Sequence, residues 1–444
     1  MADVSAFEEA KRLLEQRRRA REEVLPDLPP APASIEETGL RESFLVDLVV
    51  KLLFLRGNLE GRQICDAVGL PYQGIMEHVI RQIKDDMLAA VRRGDSVREL
   101  DWEFAITEKG GNVARDLIQR NGYAGPAPVP LERYVEVAGE QRPEWQQLNC
   151  AHMRQALSGL VVSDEMLLKL GPAFNSGKSM FLYGNAGNGK TLISERMSSS
   201  MRGGILIPQA IEAGGQVVQL FDPTHHEILG DEELRNRQSI DRRWLVVRRP
   251  FIIVGGELAM ADLEMAWDES HRHYIAPMQL KANGGVFMID DFGRQQVPVR
   301  DLLNRWIVPL EKGYDYHLLS GGVQVQVPFN LLIIFSTNLA PKDLVEEAFL
   351  RRIKYKIEIG DPTETQFREI FVNFCGKAGV EYRPAMLDYL IEQHYRRAGR
   401  QFRATHPRDL LLQLVDIARF NELSPELTPE LLDAAVATYF VDLG

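Results

Sequence analysis

The chain has 444 residues, 45% apolar and 26% charged, with 63 acidic against 52 basic side chains and a formal net charge of −11 at pH 7. These proportions exclude a wholly disordered, fibrous or low-complexity chain and leave a globular one of several domains. Net acidity argues against blanket coating of nucleic acid, although a local basic patch would still bind it. Only Cys65, Cys150 and Cys375 are present, too few and too dispersed for a disulfide framework or a CxxC metal knuckle, which fits a reducing compartment. The longest apolar stretch, Phe44 to Leu55, is broken by Asp47 and Lys51 and falls short of the roughly 20 residues that span a bilayer. The first residues are charged throughout with no apolar leader. The expectation is a cytoplasmic protein with no membrane insertion.

In chain order, residues 1–34 read as a charged helical arm, with six basic and six acidic residues in the first 24, followed by the Pro-rich linker LPDLPPAPAS. From Leu40 the pattern turns compact. An apolar helix spans Phe44 to Leu55, a short helix Arg62 to Val68, and a longer one Pro71 to Leu88. An alternating segment, AAVRRGDSVRELDWEFAIT, then reads as a hairpin, and a helix follows from Lys109 to Gln119. Three helices and a hairpin in this order resemble a winged helix-turn-helix, assigned to residues 35–122. A second linker is expected over residues 123–150.

The body, residues 151–360, alternates buried strands and helices, the pattern of an α/β domain with a parallel sheet. Candidate strands are Ser179 to Tyr183, Leu245 to Val254, Gly285 to Ile289 and Leu331 to Ser336. After Asp361-Pro362 the chain turns helical, so residues 361–444 form a separate small bundle.

The strongest chemical signal is Gly184-Asn185-Ala186-Gly187-Asn188-Gly189-Lys190-Thr191, a GxxxxGK[ST] pattern between a strand and a helix. Glycines let successive N–H groups face phosphate oxygens at a helix N-terminus. Lys190 would reach the β and γ phosphates, and Thr191 would hold Mg²⁺ through its hydroxyl. A second strand ends in Asp290-Asp291, where Asp290 can hold Mg²⁺ and Asp291 can orient or deprotonate water. A third ends in Asn338, either a γ-phosphate or water ligand or a helix cap before Pro341. Ala348 to Ile353 brings Arg351 and Arg352, and Arg408 opens a helix of the C-terminal bundle.

With those motifs in this order, residues 150–440 resemble the AAA+ ATPase family. The resemblance implies Walker A at 184–191, Walker B at 286–291, sensor 1 at Asn338 and sensor 2 at Arg408 in a helical lid. It also implies an arginine finger, best matched by Arg352 with Arg351 as runner-up. A ring, usually of six copies, would then hold ATP and Mg²⁺ between subunits, and hydrolysis would depend on assembly. Tyr314 to Val327 resembles the hairpin that a large AAA+ group carries before sensor 1.

Two departures stand out. Asp291 occupies the position where most of that family has Glu, one methylene longer, so turnover is expected to be slow. The 100-residue gap between Lys190 and Asp290 implies an insertion near 203–243. Within that region and just after it, Arg235, Arg237, Arg242, Arg243, Arg248 and Arg249 face one acid, Asp241, reading equally as a stripe that lines a ring pore or binds phosphate or an acidic partner, or as a solvated edge with intersubunit ion pairs. His225-His226 and the pair His271 and His273 match no familiar metal spacing.

Residues 35–121 carry 12 basic and 15 acidic side chains, and Pro71 to Leu88 offers only His78, Arg81 and Lys84 against three acids. Docking of a protein client is therefore favoured over DNA, whose best contact would be Arg92, Arg93 and Arg98. The expected function is an ATP-hydrolysing ring that remodels a partner. The alternatives are a DNA-binding regulator of transcription or replication and a nucleotide-switched scaffold with very slow hydrolysis.

Overall fold

A computed structural model describes residues 25–142, 148–230, 239–344 and 347–440. The expected arm, residues 1–24, lies outside the described residues, as do Arg235 and Arg237. The N-terminal module is built round the helix Glu42–Arg56, whose buried positions run almost continuously from Leu45 to Leu53 because its neighbours enclose it on most sides. The helix Gly61–Val68 starts in a reciprocal capping box between Glu60 and Gln63. Strands Leu59–Glu60, Glu103–Ile106 and Ala89–Arg93 form an antiparallel sheet in that spatial order. The helix Glu108–Arg120, capped by Thr107, packs across Glu42–Arg56.

One helix is shorter than expected. The segment read as helical from Pro71 makes a wide turn at Tyr72–Met76, with Gln73 extended and Gly74 at φ 79°, so regular helix begins at Glu77 and ends at Asp85. Gly74 allows the close approach of Ala33, whose carbonyl oxygen lies 2.3 Å from where a Cβ would stand.

The central layer is a five-stranded sheet of β1 (Ser179–Tyr183), β2 (Phe251–Val254), β3 (Val286–Ile289), β4 (Leu332–Thr337) and β5 (Tyr355–Glu358). Its spatial order is β2-β3-β4-β1-β5 and every pairing is parallel. β3 and β4 are buried along their whole length, which is why they read as unbroken apolar runs. Met180, Leu182, Met288 and Ile334 face one core, while Phe181, Phe287, Phe335 and Trp306 face the other.

The single strand expected over Leu245 to Val254 is two strands in two sheets. Trp244–Arg248 pairs antiparallel with Gly204–Pro208, and only Phe251–Val254 enters the parallel sheet. Pro250 stands at the break, lacking the N–H that a continuous ladder would need. The first of these strands belongs to a second β-rich unit. There Ala266–Asp268, His273–Ile275, Gln216–Gln219, Ala210–Ala213 and Val129–Pro130 form another five-stranded sheet. The insertion thus reaches well beyond 203–243. The hairpin Tyr314–Leu318/Gln324–Pro328 docks on it through Leu319, Val325 and Val327, and the Ser320 amide donates to Tyr274 Oη at 2.6 Å.

Residues 123–150, expected as a linker, contain a strand, the helix Leu131–Glu140 and the start of the helix Cys150–Ala156. Tyr134, Val137 and Ala138 are buried in the β-rich unit, so the helix Leu131–Glu140 is part of its core. The C-terminal bundle comprises Glu364–Ala378, Pro384–Leu390 continuing to Arg396, His406–Phe420 and Pro429–Tyr439, around Phe367, Phe371, Leu414 and Leu432. No helix among the described residues is long and apolar enough to cross a membrane.

Candidate active site

The parallel sheet delivers the carboxyl ends of β1, β3 and β4 to one edge, and the loop after β1 curls there. Gly184 has φ 135°, and a Cβ on it would stand 2.2 Å from the Ile359 carbonyl oxygen. Gly187, at φ 80°, lies against Thr405 Oγ1 in the same way, so side chains at either position would break the loop's shape. Asn185 and Ala186 are exposed at the loop's apex and Asn188 is buried. After Gly189 the helix Lys190–Ser198 begins, leaving its first N–H groups facing the loop.

Lys190 is the hub. Its Nζ donates to the carbonyls of Gly184 at 2.8 Å and Asn185 at 3.1 Å, and to Asn338 Oδ1 at 2.8 Å. Burial lowers its pKa, while Asp290 and Asp291 act in the opposite sense. Asn338 Nδ2 in turn donates to Asp291 Oδ1 at 3.1 Å, so one amide bridges the lysine and the carboxylate. Thr191 Oγ1 donates to Asp290 Oδ2 at 2.7 Å. These two supply adjacent hard oxygen donors, the chemistry that suits Mg²⁺.

Asp291 sits at φ 47°, a left-handed backbone that costs a residue with a Cβ on the order of 1 kcal/mol. Its amide donates to Asp290 Oδ1, and the next amide, Phe292 N–H, donates to Ser336 O on β4.

Several contacts at this edge involve residues that the sequence pattern does not single out. Asp361, read only as a domain break, accepts Asn188 Nδ2 at 2.7 Å and Asn185 Nδ2 at 3.1 Å, and forms an ion pair with Arg403 of the bundle. Burial works against the Asp361 carboxylate, yet the Asn188, Asn185 and Arg403 contacts hold its pKa below the usual range. Thr405 N–H donates to Gly187 O at 3.0 Å. The bundle is thereby joined directly to the phosphate loop. Between them lies an apolar cavity lined by Leu160, Val162, Leu192, Ile370, Phe374 and Arg408. Arg408 stands at this cavity with its side chain half-exposed and Nε 2.7 Å from Asp409 Oδ1. Its carboxylate partner is thus its chain neighbour Asp409 rather than Asp290 or Asp291.

Arg351 and Arg352 lie elsewhere. Ser179 Oγ, at the amino end of β1, donates to Arg352 O, and Arg352 Nε meets Glu311 Oε1 at 2.6 Å. The length of the strand, about 15 Å, separates this position from the phosphate loop. The described arginines of this cluster are used internally. Arg242 pairs with Asp66, Arg243 is buried on Asp241 and donates to Thr38 O, and Arg248 pairs with Glu227. Arg249 donates to the carbonyls of Gln141 and Gly284. These four act as internal glue rather than a ligand-binding stripe. His226 Nε2 lies 2.9 Å from Lys281 O and His273 Nε2 2.9 Å from Gln219 Oε1. Among the described residues no three His, Cys, Asp or Glu side chains gather as a metal cage.

A sequence profile for a domain of unknown function, DUF8689, matches residues 363–438, the C-terminal bundle. No curated protein matches the sequence. Among solved structures, NtrX from Brucella abortus is similar over 74% of this chain and 60% of its own, at 13% identity and a TM-score of 0.38. The match therefore spans less than two thirds of NtrX. A Thermotoga maritima RuvB structure, described as a Holliday junction branch migration motor, is similar over 63% of this chain and 68% of its own, at 14% identity and a TM-score of 0.35.

Proposed function

We propose that the chain is an ATPase of the AAA+ kind that works as a ring, with the N-terminal module as a winged helix that recruits a protein client. The observation that carries this reading is the continuous polar chain Lys190–Asn338–Asp291, with Thr191–Asp290 beside it, on the ends of three neighbouring parallel strands. Lys190 and the loop amides bind the β and γ phosphates of ATP, and the apolar cavity beside Leu160 and Phe374 takes the base. Thr191 and Asp290 would hold Mg²⁺, which supplies charge neutralisation on the phosphates. Asp291 accepts the proton of the attacking water, and Asn338 orients that water against the γ phosphorus. Arg408 meets the phosphates from the bundle of the same chain. Arg352, with Arg351 as runner-up, serves the nucleotide of the next copy, because within its own chain it stands at the wrong end of the sheet.

A helix, a short strand, two helices and two strands, in that order, support the winged-helix reading of residues 35–122. Its cations favour a protein client over DNA. Arg81 pairs with Glu77, and Lys84 forms an ion pair with Glu99, so each shares its charge with a neighbouring carboxylate.

Asp291→Asn tests the chemistry: it should keep ATP binding, followed with a fluorescent ATP analogue, and lose phosphate release by about 10²-fold. Undiminished release would remove Asp291 from the role of base. Duplex DNA that raises the turnover of the wild-type chain, and does so less at high salt, would turn the reading toward a DNA-dependent regulator.

A further inference from the structure

Asp291 is both short for its task and held in an unfavourable backbone, and beyond its own neighbour Asp290 the side chain of Gln295 braces that backbone. Gln295 Nε2 donates to Asp290 O at 3.0 Å and approaches Asp291 O at 3.3 Å and Gly255 O at 3.4 Å, the last at the end of β2. Its Oε1 accepts Gly293 N–H at 2.8 Å. One amide therefore uses its donor and acceptor ends together to pin the carbonyls and the amide of the turn that carries Asp291 at φ 47°.

We infer that Gln295 is a positioning residue for hydrolysis: it holds residue 291 in the left-handed conformation that brings a carboxylate one methylene shorter than Glu within reach of Asn338 and the attacking water. This rests on the ATPase reading above. Physically, a non-glycine residue leaves the left-handed region unless its surroundings hold it there. Rotation of the Asp291 backbone would move a side chain with only two torsions bodily away from Asn338 Nδ2, now 3.1 Å distant. A longer Glu side chain has a further torsion with which to recover the lost reach. The requirement for Gln295 is thus tied to the Asp at 291.

The test uses the full chain and four variants: Gln295→Ala, Gln295→Glu, Asp291→Glu, and Asp291→Glu combined with Gln295→Glu. Gln295→Glu keeps the shape and removes the donor that faces three carbonyls, so it separates positioning from packing. Phosphate release is measured against ATP concentration, with analogue binding and thermal unfolding recorded in parallel. Both single Gln295 variants should lose roughly 10- to 100-fold in kcat with KM and analogue affinity little changed. In the Asp291→Glu background the Gln295→Glu loss should shrink to within about threefold, a rescue that a merely structural brace would not show. Wild-type kcat in Gln295→Glu would overturn the inference alone, as would an equal loss in both backgrounds. A wild-type chain that binds ATP but releases no phosphate at any concentration would overturn the hydrolysis reading and this inference with it.

Discussion

The two ends of the parallel sheet differ in how their polar groups are used. At the carboxyl end the polar groups pair among themselves, as Lys190–Asn338–Asp291, Thr191–Asp290 and Asn188–Asp361, by hydrogen bonds of 2.7–3.1 Å. At the amino end a cleft is lined by Arg142, Lys178, Lys312, Arg352 and Lys354 with Glu311. In our account the first end is the catalytic set and lacks a trans-acting cation; the second carries cations a strand's length, about 15 Å, away. In one copy these halves cannot meet. The proposed ring would bring the amino end of one copy to the carboxyl end of the next, which gives the arrangement its purpose in our account.

The comparison breaks first at Lys190. Lys190→Ala should abolish ATP binding and reduce phosphate release to background, since the hub of the carboxyl-end network is removed; retained affinity in a fluorescent-analogue titration would contradict that role. Arg352→Ala should lower turnover by about 10³-fold while ATP affinity is kept. Mixing Arg352→Ala with Lys190→Ala copies sharpens the point, because each supplies the half that the other lacks and mixed assemblies should recover part of the activity. A mixture as inactive as its components would place the arginine outside the reaction. Asp361→Asn, which loosens the tie between phosphate loop and bundle, should weaken ATP binding roughly fivefold, the equivalent of about 1 kcal/mol.

The smallest effect concerns pH. Burial, with Arg403 adding to it, depresses the His406 pKa from 6.5 to about 4 at the start of the helix His406–Phe420. The folded chain therefore binds fewer protons than the unfolded one between these values. The stability that neutral His406 contributes is present above pH 6.5 and lost as pH falls toward 4. His406→Gln should show a shallower fall in Tm over that window than the wild-type chain, and equal slopes would remove His406 as the cause.

Legibility in the sequence followed the locality of the interactions. The loop 184–191, the apolar strands ending at Asp290 and Asn338, and the helices after Asp361 all announce themselves within a few residues, through glycine spacing, unbroken apolar runs and helical periodicity. The β-rich unit does not, because its strands are short and pair across long separations, as Val129–Pro130 does with Ala210–Ala213. The same distance hid the helix Leu131–Glu140 behind a proline-rich opening that reads as a linker. Arg242 and Arg243 could not be assigned from composition, since their partners Asp66 and Thr38 lie well over 150 residues away in the chain. Asp361 was visible only as a breaker before Pro362; its contacts with Asn185 and Asn188 exist because β5 ends beside β1. Gln295 gave no signal at all, being one glutamine in a turn whose meaning depends on the backbone angle of Asp291.

The central claim is that the two ends of the sheet act together only between copies. Phosphate release per chain, measured from well below to well above micromolar protein, tests it most directly. We expect specific activity to climb with concentration and then level off, with Arg352→Ala flat at background throughout. Specific activity independent of concentration, with Arg352→Ala equal to the wild-type chain, would contradict the account.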